Sequence, residues 1–273
     1  MTGLKFLHRW IPRRLRRAIK EQTLDRWDAA YRFVTGRSHL PPLTLRQFVG
    51  GSEGFERIGS IFLGEFRKYG LIRPGDHALD VGCGSGRVAR ALAADPELQD
   101  TLQYAGMDID EKAVRWCQDH IAKRRPNFSF YRADLHNKTY NPLGKISPAN
   151  YAFPHPDGQF DLVFLVSIFT NFAPEGLENY LKELNRILKP TGAVYSTWFT
   201  YHTQAQAMEG MPGRPFRFRF FHGDYALVSE DFPEDAISYR QEFVIEMAER
   251  CGLKLKQPVV EGAQDTLIFV KKS

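Results

Sequence analysis

The chain is poor in cysteine and has no long hydrophobic segment. Among its 273 residues only Cys83, Cys117 and Cys251 are cysteines, and no two of them form a C-x-x-C pair. An odd number of widely spaced cysteines argues against a disulfide framework and a structural zinc site, so we predict a reducing compartment and no bound metal. No run of 18 apolar residues occurs, which excludes a membrane-spanning helix. We therefore predict a cytoplasmic protein.

The first 20 residues lack acidic side chains. They carry seven basic ones, so the rest of the chain has a net charge of −2 although the whole chain has a formal charge of +5. A body without surplus positive charge does not suit a groove that follows phosphates, so we predict no nucleic-acid partner. Within the basic segment apolar residues recur in a helix-like spacing broken at Pro12, which is typical of amphipathic segments on anionic membranes. We predict peripheral contact of residues 1–20 with the inner membrane face. The alternatives are a solvated arm and a helix packed on the core or a partner.

Glycine is concentrated in the segment LDVGCGSGR, residues 79–87. The apolar residues at its start predict a short buried strand with Asp80 near its end, and a helical apolar pattern begins at Val88. Between them lie three glycines, Gly82, Gly84 and Gly86. Glycines let a ligand approach the backbone closely and accept φ values that other residues resist. A dinucleotide-binding turn has its third glycine five positions after the first, whereas here the third comes after four, so the spacing disfavours a dinucleotide.

A second carboxylate follows the next predicted strand. Residues 104–107 predict a strand that ends at Asp108, 26 residues after the first glycine. A carboxylate in this place can accept hydrogen bonds from both hydroxyls of a ribose. The carboxyl ends of parallel strands meet at one edge of a sheet, so we expect the glycine turn, Asp80 and Asp108 to lie together.

These segments resemble the class I S-adenosylmethionine-dependent methyltransferases. The family's first motif is matched by residues 80–86, its ribose-binding acid by Asp108, and its adenine-flanking pair by Asp134 and Leu135. The resemblance continues through residues 153–172 and 181–199. It implies S-adenosylmethionine as the cofactor and S-adenosylhomocysteine as the product. It also implies a cofactor-binding role for Asp80, Gly82, Cys83, Gly84, Gly86, Arg87, Asp108, Ile109, Asp134, Leu135, Val166 and Ser167.

The order of the predicted elements indicates one α/β core. Strands alternate with helices after residue 74, which predicts a Rossmann-like, seven-stranded, mostly parallel sheet with helices on both faces. Residues 1–70 are predicted to form the basic arm and a helical cover, and residues 71–273 the cofactor-binding core. The segment 200–238, before the last helix, breaks the alternation and is rich in aromatic residues, glycine and proline. We predict that it forms a lid over the substrate, with an ordinary insertion as the alternative.

The resemblance implies methyl transfer, but the acceptor stays open. Related bacterial enzymes often read F-T-H after the fourth strand, where this chain has Phe169-Thr170-Asn171. Asparagine cannot act as a base, which leaves Asn171 as a hydrogen-bonding residue for substrate and His202 or His222 as candidate bases. No D-P-P-Y or N-P-P-Y motif follows that strand, which lowers the case for methylation of the amino groups of adenine or glutamine.

The leading hypothesis is O-methylation of a hydroxyl on a small molecule or glycan, and the basic arm favours a lipid-linked glycan. The alternatives are N-methylation of a small molecule, a non-catalytic cofactor-binding regulatory module, and a nucleotide-dependent oxidoreductase. The complete first motif and Asp108 disfavour the regulatory module, and the glycine spacing disfavours the oxidoreductase.

Overall fold

The structure is a computed structural model that describes residues 13–47, 54–138, 140–172, 174–210, 213 and 216–272, with side chains from residue 20 onwards. Three helices come first: α1 (Arg13–Val34), α2 (Leu43–Gln47) and α3 (Phe55–Lys68). The alternating units follow: β1 (His77–Val81), α4 (Arg87–Ala94), β2 (Gln103–Asp108), α5 (Glu111–Cys117), β3 (Phe128–Arg132), β4 (Phe160–Leu165), α6 (Pro174–Ile187) and β5 (Leu188–Trp198). The remaining elements are β6 (Thr200–Tyr201), α7 (Gln204–Glu209), β7 (Phe220–His222), β8 (Tyr225–Leu227), β9 (Ile237–Arg240), α8 (Gln241–Arg250), β10 (Leu253–Leu255) and β11 (Asp265–Lys271).

The main sheet has seven strands in the order β10-β11-β5-β4-β1-β2-β3. Strands β1 to β5 pair in parallel, whereas β11 is antiparallel to both β5 and β10. The prediction of a seven-stranded, mostly parallel sheet is thus confirmed. Strand β5 begins at Leu188, directly after α6, and its pairing with β4 shifts register between Phe160 and Leu162.

Two hydrophobic clusters cover the two faces of this sheet. Successive strand residues point to opposite faces, so Leu162 belongs to one cluster and Val163 to the other. The first cluster includes buried residues of α6 and α8, such as Leu181 and Val244, and the second includes residues of α3, α4 and α5, such as Phe66. Helices therefore lie on both faces, as a parallel sheet requires.

The predicted lid segment has a sheet of its own. Strands β6 to β9 form a four-stranded sheet in the order β6-β9-β8-β7, in which only β6 and β9 are parallel. This sheet is attached next to the carboxyl end of β4, where the Ile237 N–H donates to the Thr170 carbonyl at 2.7 Å and the Tyr239 hydroxyl to the Phe172 carbonyl at 2.6 Å. The segment is thus a small folded unit joined to the rim of the main sheet.

Helix α1 is joined to α2 by polar contacts. The Asp28 carboxylate is buried and accepts hydrogen bonds from the guanidinium groups of Arg32 and Arg46. One turn earlier, Asp25 accepts hydrogen bonds from the backbone and the hydroxyl of Thr44 at 3.0 and 2.8 Å. Carboxylates rather than apolar side chains therefore face α2. The arm predicted at residues 1–20 lies outside the described residues up to residue 12 and is helical from Arg13 onwards.

Gly59 allows α3 to approach the start of α4. A Cβ atom at Gly59 would lie 2.3 Å from the backbone oxygen of Arg87, which cannot move without displacing α4. Gly64 in the same helix has nothing within 4 Å of the corresponding position.

We expect Gly59→Ala to lower the free energy of unfolding by about 1–3 kcal/mol, the cost of overpacking. The matched Gly64→Ala should raise it by about 0.5–1 kcal/mol, since alanine is the better helix former and meets no neighbour there. Urea denaturation of both variants measures the difference. Equal effects of the two substitutions would contradict the close contact between α3 and α4.

Candidate functional site

The glycine turn after β1 is bound to the end of β2 by three hydrogen bonds. The Met107 carbonyl accepts from the backbone N–H groups of Gly82 and Cys83 at 2.8 and 2.9 Å. The Asp108 carboxylate accepts from the Gly84 N–H at 2.7 Å and from the Asp110 N–H at 2.8 Å, one on each oxygen. A carboxylate has about four lone-pair sites, and the Ile109 backbone also makes a hydrogen bond to this one, so part of its accepting capacity is left for a ligand. This arrangement suits a diol.

Gly82 and Gly84 have φ angles of +83° and +52°, a region that side chains other than glycine rarely adopt. Gly86 also has a positive φ, but its role differs. A Cβ atom there would lie 2.6 Å from the Ile121 side chain and 3.0 Å from the Cys117 sulfur. Gly86 therefore allows α4 to approach the segment that continues α5, and it is not among the cavity residues.

Asp80 is a buried carboxylate at the end of β1. Burial raises its pKa to about 7, and the nearby Asp108 charge acts in the same direction. The Tyr104 hydroxyl, which donates a hydrogen bond to Asp80 at 2.7 Å, and the Arg87 guanidinium both oppose the shift. Burial likewise raises the pKa of Asp108. Two carboxylates with raised pKa values beside a glycine turn form a site that favours a positively charged ligand.

A cavity of about 750 Å³ opens at the carboxyl ends of the parallel strands. Its buried inner part holds the turn, Asp80 and Asp108, and its more exposed outer part is lined by residues that follow β3 and β4. Ten of the twelve predicted cofactor-binding residues line it: Asp80, Gly82, Cys83, Gly84, Arg87, Asp108, Ile109, Leu135, Val166 and Ser167. The volume lies within the usual range of small-molecule sites.

Asp134 is one of the two predicted cofactor residues that the structure does not bring to the cavity. Its side chain is half exposed and lies 3.8 Å from the Arg132 guanidinium, and its carbonyl accepts from the backbone of Lys145 and Ile146. The residue thus holds the loop after β3, while its neighbour Leu135 is buried and lines the cavity.

The two predicted base histidines are also elsewhere. His202 and His222 are both outside the set of described cavity residues, because the small second sheet carries them away from the strand ends. The His202 ring lies 3.0 Å from Glu242 and the His222 ring 3.5 Å from Glu230, both on the surface. The prediction that either acts as a base is therefore not supported by their positions.

Asn171 lines the cavity, but its amide is bound within the protein. The side-chain nitrogen donates to the carbonyls of Glu234 and Asp235 at 3.0 and 3.1 Å, and its oxygen accepts from the Thr170 hydroxyl at 2.6 Å. These bonds connect the end of β4 to the small sheet. Asn171 is therefore first a positioning residue, with one oxygen lone-pair site left for a ligand.

Ser167 has a left-handed backbone conformation, with φ at +59°, at the cavity wall. Its N–H donates to the Thr197 hydroxyl at 2.8 Å, and its own hydroxyl donates to the Gln264 side-chain oxygen at 3.0 Å. The Thr197 hydroxyl donates to that same oxygen at 2.6 Å. Gln264 thus holds a strained residue in place, and nothing in the local sequence pointed to it, since 97 positions separate it from Ser167.

The outer part of the cavity contains polar residues that the sequence reasoning did not single out. These are His136, Asn137, Tyr140, Glu175 and Glu234. His136 directly follows Leu135 in the sequence. Its place next to the predicted adenine-flanking position is the signal from which it could have been predicted as a site residue. Among the described residues no group of three or more His, Cys, Asp or Glu side chains could hold a metal ion.

Comparison with known proteins finds one family match and several similar proteins. Residues 78–192 match the methyltransferase domain family. This match supports a class I S-adenosylmethionine-dependent methyltransferase domain at these residues. It is 31% identical over 150 residues to squalene methyltransferase 1 of Botryococcus braunii, a match that covers 53% of this chain and 34% of that protein. It is 30% identical over 128 residues to demethylmenaquinone methyltransferase of Symbiobacterium thermophilum, covering 47% of this chain and 44% of that protein. The chain thus spans less than half the length of these relatives.

Solved structures show that the fold of the methyltransferase domain is shared. The PH0226 protein of Pyrococcus horikoshii superposes with a TM-score of 0.55 at 19% identity, covering 82% of this chain and 93% of that one. The 1,6-didemethyltoxoflavin-N1-methyltransferase of Burkholderia thailandensis superposes with a TM-score of 0.52 at 15% identity, covering 93% and 90%. At these identities the likeness concerns the fold alone.

The charge on Asp80 generates a prediction about stability. Because its folded pKa of about 7 lies above the ordinary value of an aspartate, folding favours the protonated form. Its contribution to stability therefore falls as pH rises from about 4 to about 7, and then stays constant. The loss amounts to about 4 kcal/mol at full ionisation, at 1.36 kcal/mol for each pKa unit.

We expect Asp80→Asn, which keeps an acceptor for the Tyr104 hydroxyl, to raise the free energy of unfolding by about 2–4 kcal/mol at pH 8, and by progressively less towards pH 4. The same variant should bind S-adenosylhomocysteine more weakly, because it lacks the negative charge. Urea titrations of both proteins across this pH range isolate the contribution of Asp80 and its interactions with its neighbours, since the groups that do not interact with it cancel. A stability difference that grows towards low pH would contradict the raised pKa.

Proposed function

We propose that the protein transfers a methyl group from S-adenosylmethionine to a hydroxyl of a small-molecule or glycan acceptor in the cytoplasm. The observation that carries the proposal is the cavity itself, in which the glycine turn and two carboxylates form the buried part and polar side chains form the open part. A cofactor in the buried part would present its methyl group towards an acceptor in the open part. Such an arrangement supports transfer rather than storage of the cofactor.

The residues of the inner part fit the cofactor. Asp108 lines this part and keeps accepting capacity for ribose hydroxyls, and Leu135 offers an apolar surface for the base. Asp80 and Arg87 supply one charge of each sign, which suits an amino acid moiety that carries both an ammonium and a carboxylate group. Gly82 and Gly84 leave the backbone accessible. When bound, the cofactor supplies an electrophilic methyl group on a sulfonium with a good leaving group.

The remaining catalytic requirements fall on the protein. It must hold the acceptor oxygen in line with the methyl group, exclude water and accept the hydroxyl proton. His136 is the cavity residue best suited to accept that proton, since a neutral imidazole has a ring nitrogen that can act as a base and this side chain belongs to the cavity lining. Asn171 and Ser167 position the wall of the cavity through their bonds to the small sheet and to Gln264.

N-methylation of an amine is the second candidate, and the charge of the open part favours it. Glu175 and Glu234 line that part, and no lysine or arginine among the described residues does so. Carboxylates there would attract a protonated amine, which would have to lose a proton before it could attack the methyl group. An alcohol, in contrast, binds as a neutral group and does not first have to lose a proton from a positively charged form. Incubation with isotope-labelled S-adenosylmethionine and matched alcohol and amine acceptors separates the two, because the chemical shift of the labelled methyl carbon reports the atom to which it is bound.

An apolar or lipid-linked acceptor is supported by two further observations. The basic segment at residues 1–20 suits an anionic membrane surface, as predicted above, and two relatives are named for squalene and demethylmenaquinone. Within the described ranges no helix is long and apolar enough to span a membrane. We therefore propose peripheral rather than integral contact.

The assignment of Asp108 to the ribose makes a quantitative prediction. We expect Asp108→Ala to weaken S-adenosylhomocysteine binding by about 1.5–3 kcal/mol, the loss of charge-assisted hydrogen bonds to a diol. Asp134→Ala is the matched control, because this acid follows the next strand but its side chain is not among the cavity residues, and it should change the affinity by less than about 0.5 kcal/mol. Isothermal titration measures both. Equal affinities of the Asp108 variant and the unmodified protein would remove Asp108 from the cofactor site.

The role of His136 is tested by turnover. We expect His136→Asn to lower the rate of methyl transfer by about 10²–10⁴-fold, the usual contribution of a general base, with cofactor affinity unchanged. His222→Asn removes a histidine of the small sheet outside the cavity and should leave the rate within about twofold. A pH–rate profile supplies the decisive readout, since any rise in rate that depends on a deprotonated imidazole should vanish only in the His136 variant. If the His136 variant forms methylated product at an unchanged rate, the base lies elsewhere. If even the unmodified protein methylates no acceptor, the result supports the alternative of a non-catalytic regulatory module.

A further inference from the structure

Helix α1 presents apolar side chains to solvent along one side. Trp27, Tyr31 and Val34 are 75%, 59% and 83% exposed and are spaced by four and three residues. This spacing returns to the same side of an α-helix, so the three residues form a continuous stripe, which we call the aromatic stripe. Most helices on a protein surface turn such a stripe towards the core.

The opposite side of α1 makes the contacts with the rest of the protein. Asp25 and Asp28 face α2 and bind Thr44, Arg32 and Arg46, as described above. The helix therefore docks by its carboxylates and leaves its aromatic residues outside. An apolar surface kept exposed in this way is typical of an interaction site.

The charged side chains of α1 are also divided between the two sides of the helix. Lys20 is exposed and lies seven residues before Trp27, which places it on the aromatic stripe's side of the helix. The acidic residues of the helix, Glu21, Asp25 and Asp28, lie at helical positions turned towards α2 or beside it. A positive charge thus extends the aromatic stripe towards the basic N-terminal segment, and no negative charge interrupts it.

We propose that the aromatic stripe of α1 lies in the headgroup region of an anionic lipid bilayer. Tryptophan and tyrosine, each with an apolar ring and a polar tip, are the side chains that favour this region, and lysine pairs there with lipid phosphates. Helix α1 would then lie parallel to the membrane surface with its acidic side towards the protein. Apart from Lys20, this surface lies outside the arm at residues 1–20, and it lies outside the cavity, so the proposal does not depend on methyl transfer.

A second copy of the chain fits the aromatic stripe less well. It would offer an identical stripe, which contains no carboxylate to pair with Lys20. The available area is also small, because two aromatic side chains of about 150–250 Å² each and one valine fall short of the ~800 Å² that each partner of a stable complex buries. A lipid surface requires neither a complementary shape nor a minimum area.

Vesicle co-sedimentation of the full-length protein tests the proposal. We expect binding to vesicles of phosphatidylserine and phosphatidylcholine, release by high salt, and little binding to pure phosphatidylcholine. The double variant Trp27→Ser/Tyr31→Ser should lower the partition coefficient by about tenfold or more. Its matched control is Phe33→Ser, since Phe33 is 80% exposed on the same helix but lies off the aromatic stripe, and this variant should bind as the unmodified protein does.

A charge-reversal pair provides a second comparison. Lys20→Glu and Arg26→Glu change the net charge equally, but only Lys20 lies in line with the aromatic stripe, so the first should weaken binding about tenfold more than the second. Titration with S-adenosylhomocysteine and circular dichroism report separately on the cofactor site and on folding, so a loss of vesicle binding with both unchanged supports the proposal.

Three results would overturn it. The unmodified protein could fail to bind anionic vesicles at low salt. The Trp27/Tyr31 and Phe33 variants could bind equally, which would assign any membrane contact to the basic arm alone. Analytical ultracentrifugation could show a dimer that the Trp27/Tyr31 variant dissociates in the absence of lipid, which would assign the aromatic stripe to a second copy.

Discussion

The hydrogen bond between the Gly84 N–H and the Asp108 carboxylate connects the two halves of the proposed cofactor site. It joins the turn after one strand to the end of the next, and it can form only because β1 and β2 pair in parallel and in a register that sets Val81 opposite Met107. The Met107 carbonyl fixes the first part of the turn in the same way. A slip of one residue between the strands would turn Asp108 to the other face of the sheet. The register of these two strands therefore determines the shape of the cavity.

This constraint explains which parts of the site could be predicted from the sequence. The strands, the glycine turn and both acids are encoded by local patterns, and parallel pairing then brings them to one edge without further information. Asp108 and Leu135 are found where these patterns place them. Asp134 is not, because its side chain points away from the cavity next to Arg132, and a one-dimensional motif does not specify which of two adjacent residues faces a ligand.

Long-range contacts account for what the sequence did not predict. Strands β7 and β8 have three residues each, too few for a recognisable alternation, and β6 pairs with β9 across almost 40 residues of intervening chain. The small sheet was therefore predicted only as a lid segment, and the histidines on it as site residues. Gln264 was missed for the same reason, since its importance comes entirely from its contact with Ser167 and Thr197.

In the cavity and in α1, carboxylates whose burial costs free energy are placed where they can bind a ligand or a neighbouring helix. Two carboxylates with raised pKa values lower the stability of the ligand-free protein near neutral pH, and a cation in the cavity would offset that cost. Helix α1 likewise uses its carboxylates to bind α2 and leaves aromatic residues exposed. Residue Leu45 of α2 lines the cavity, so α2 connects the outward-facing helix directly to the cavity wall.

The continuity of α1 links the two membrane-related observations. The basic segment is recognisable from the charge and apolar spacing of the sequence, and the aromatic stripe from the structure. Residues 13–20 of the basic segment and the aromatic stripe belong to one helix that runs without interruption from Arg13 to Val34. A continuous helix of 22 residues is about 33 Å long, at 1.5 Å for each residue, so its basic start and its aromatic end can contact the same flat surface. A surface that attracted the basic segment would therefore also meet Trp27 and Tyr31. Electrostatic attraction would bring the helix to the surface, and burial of the aromatic rings would slow its release.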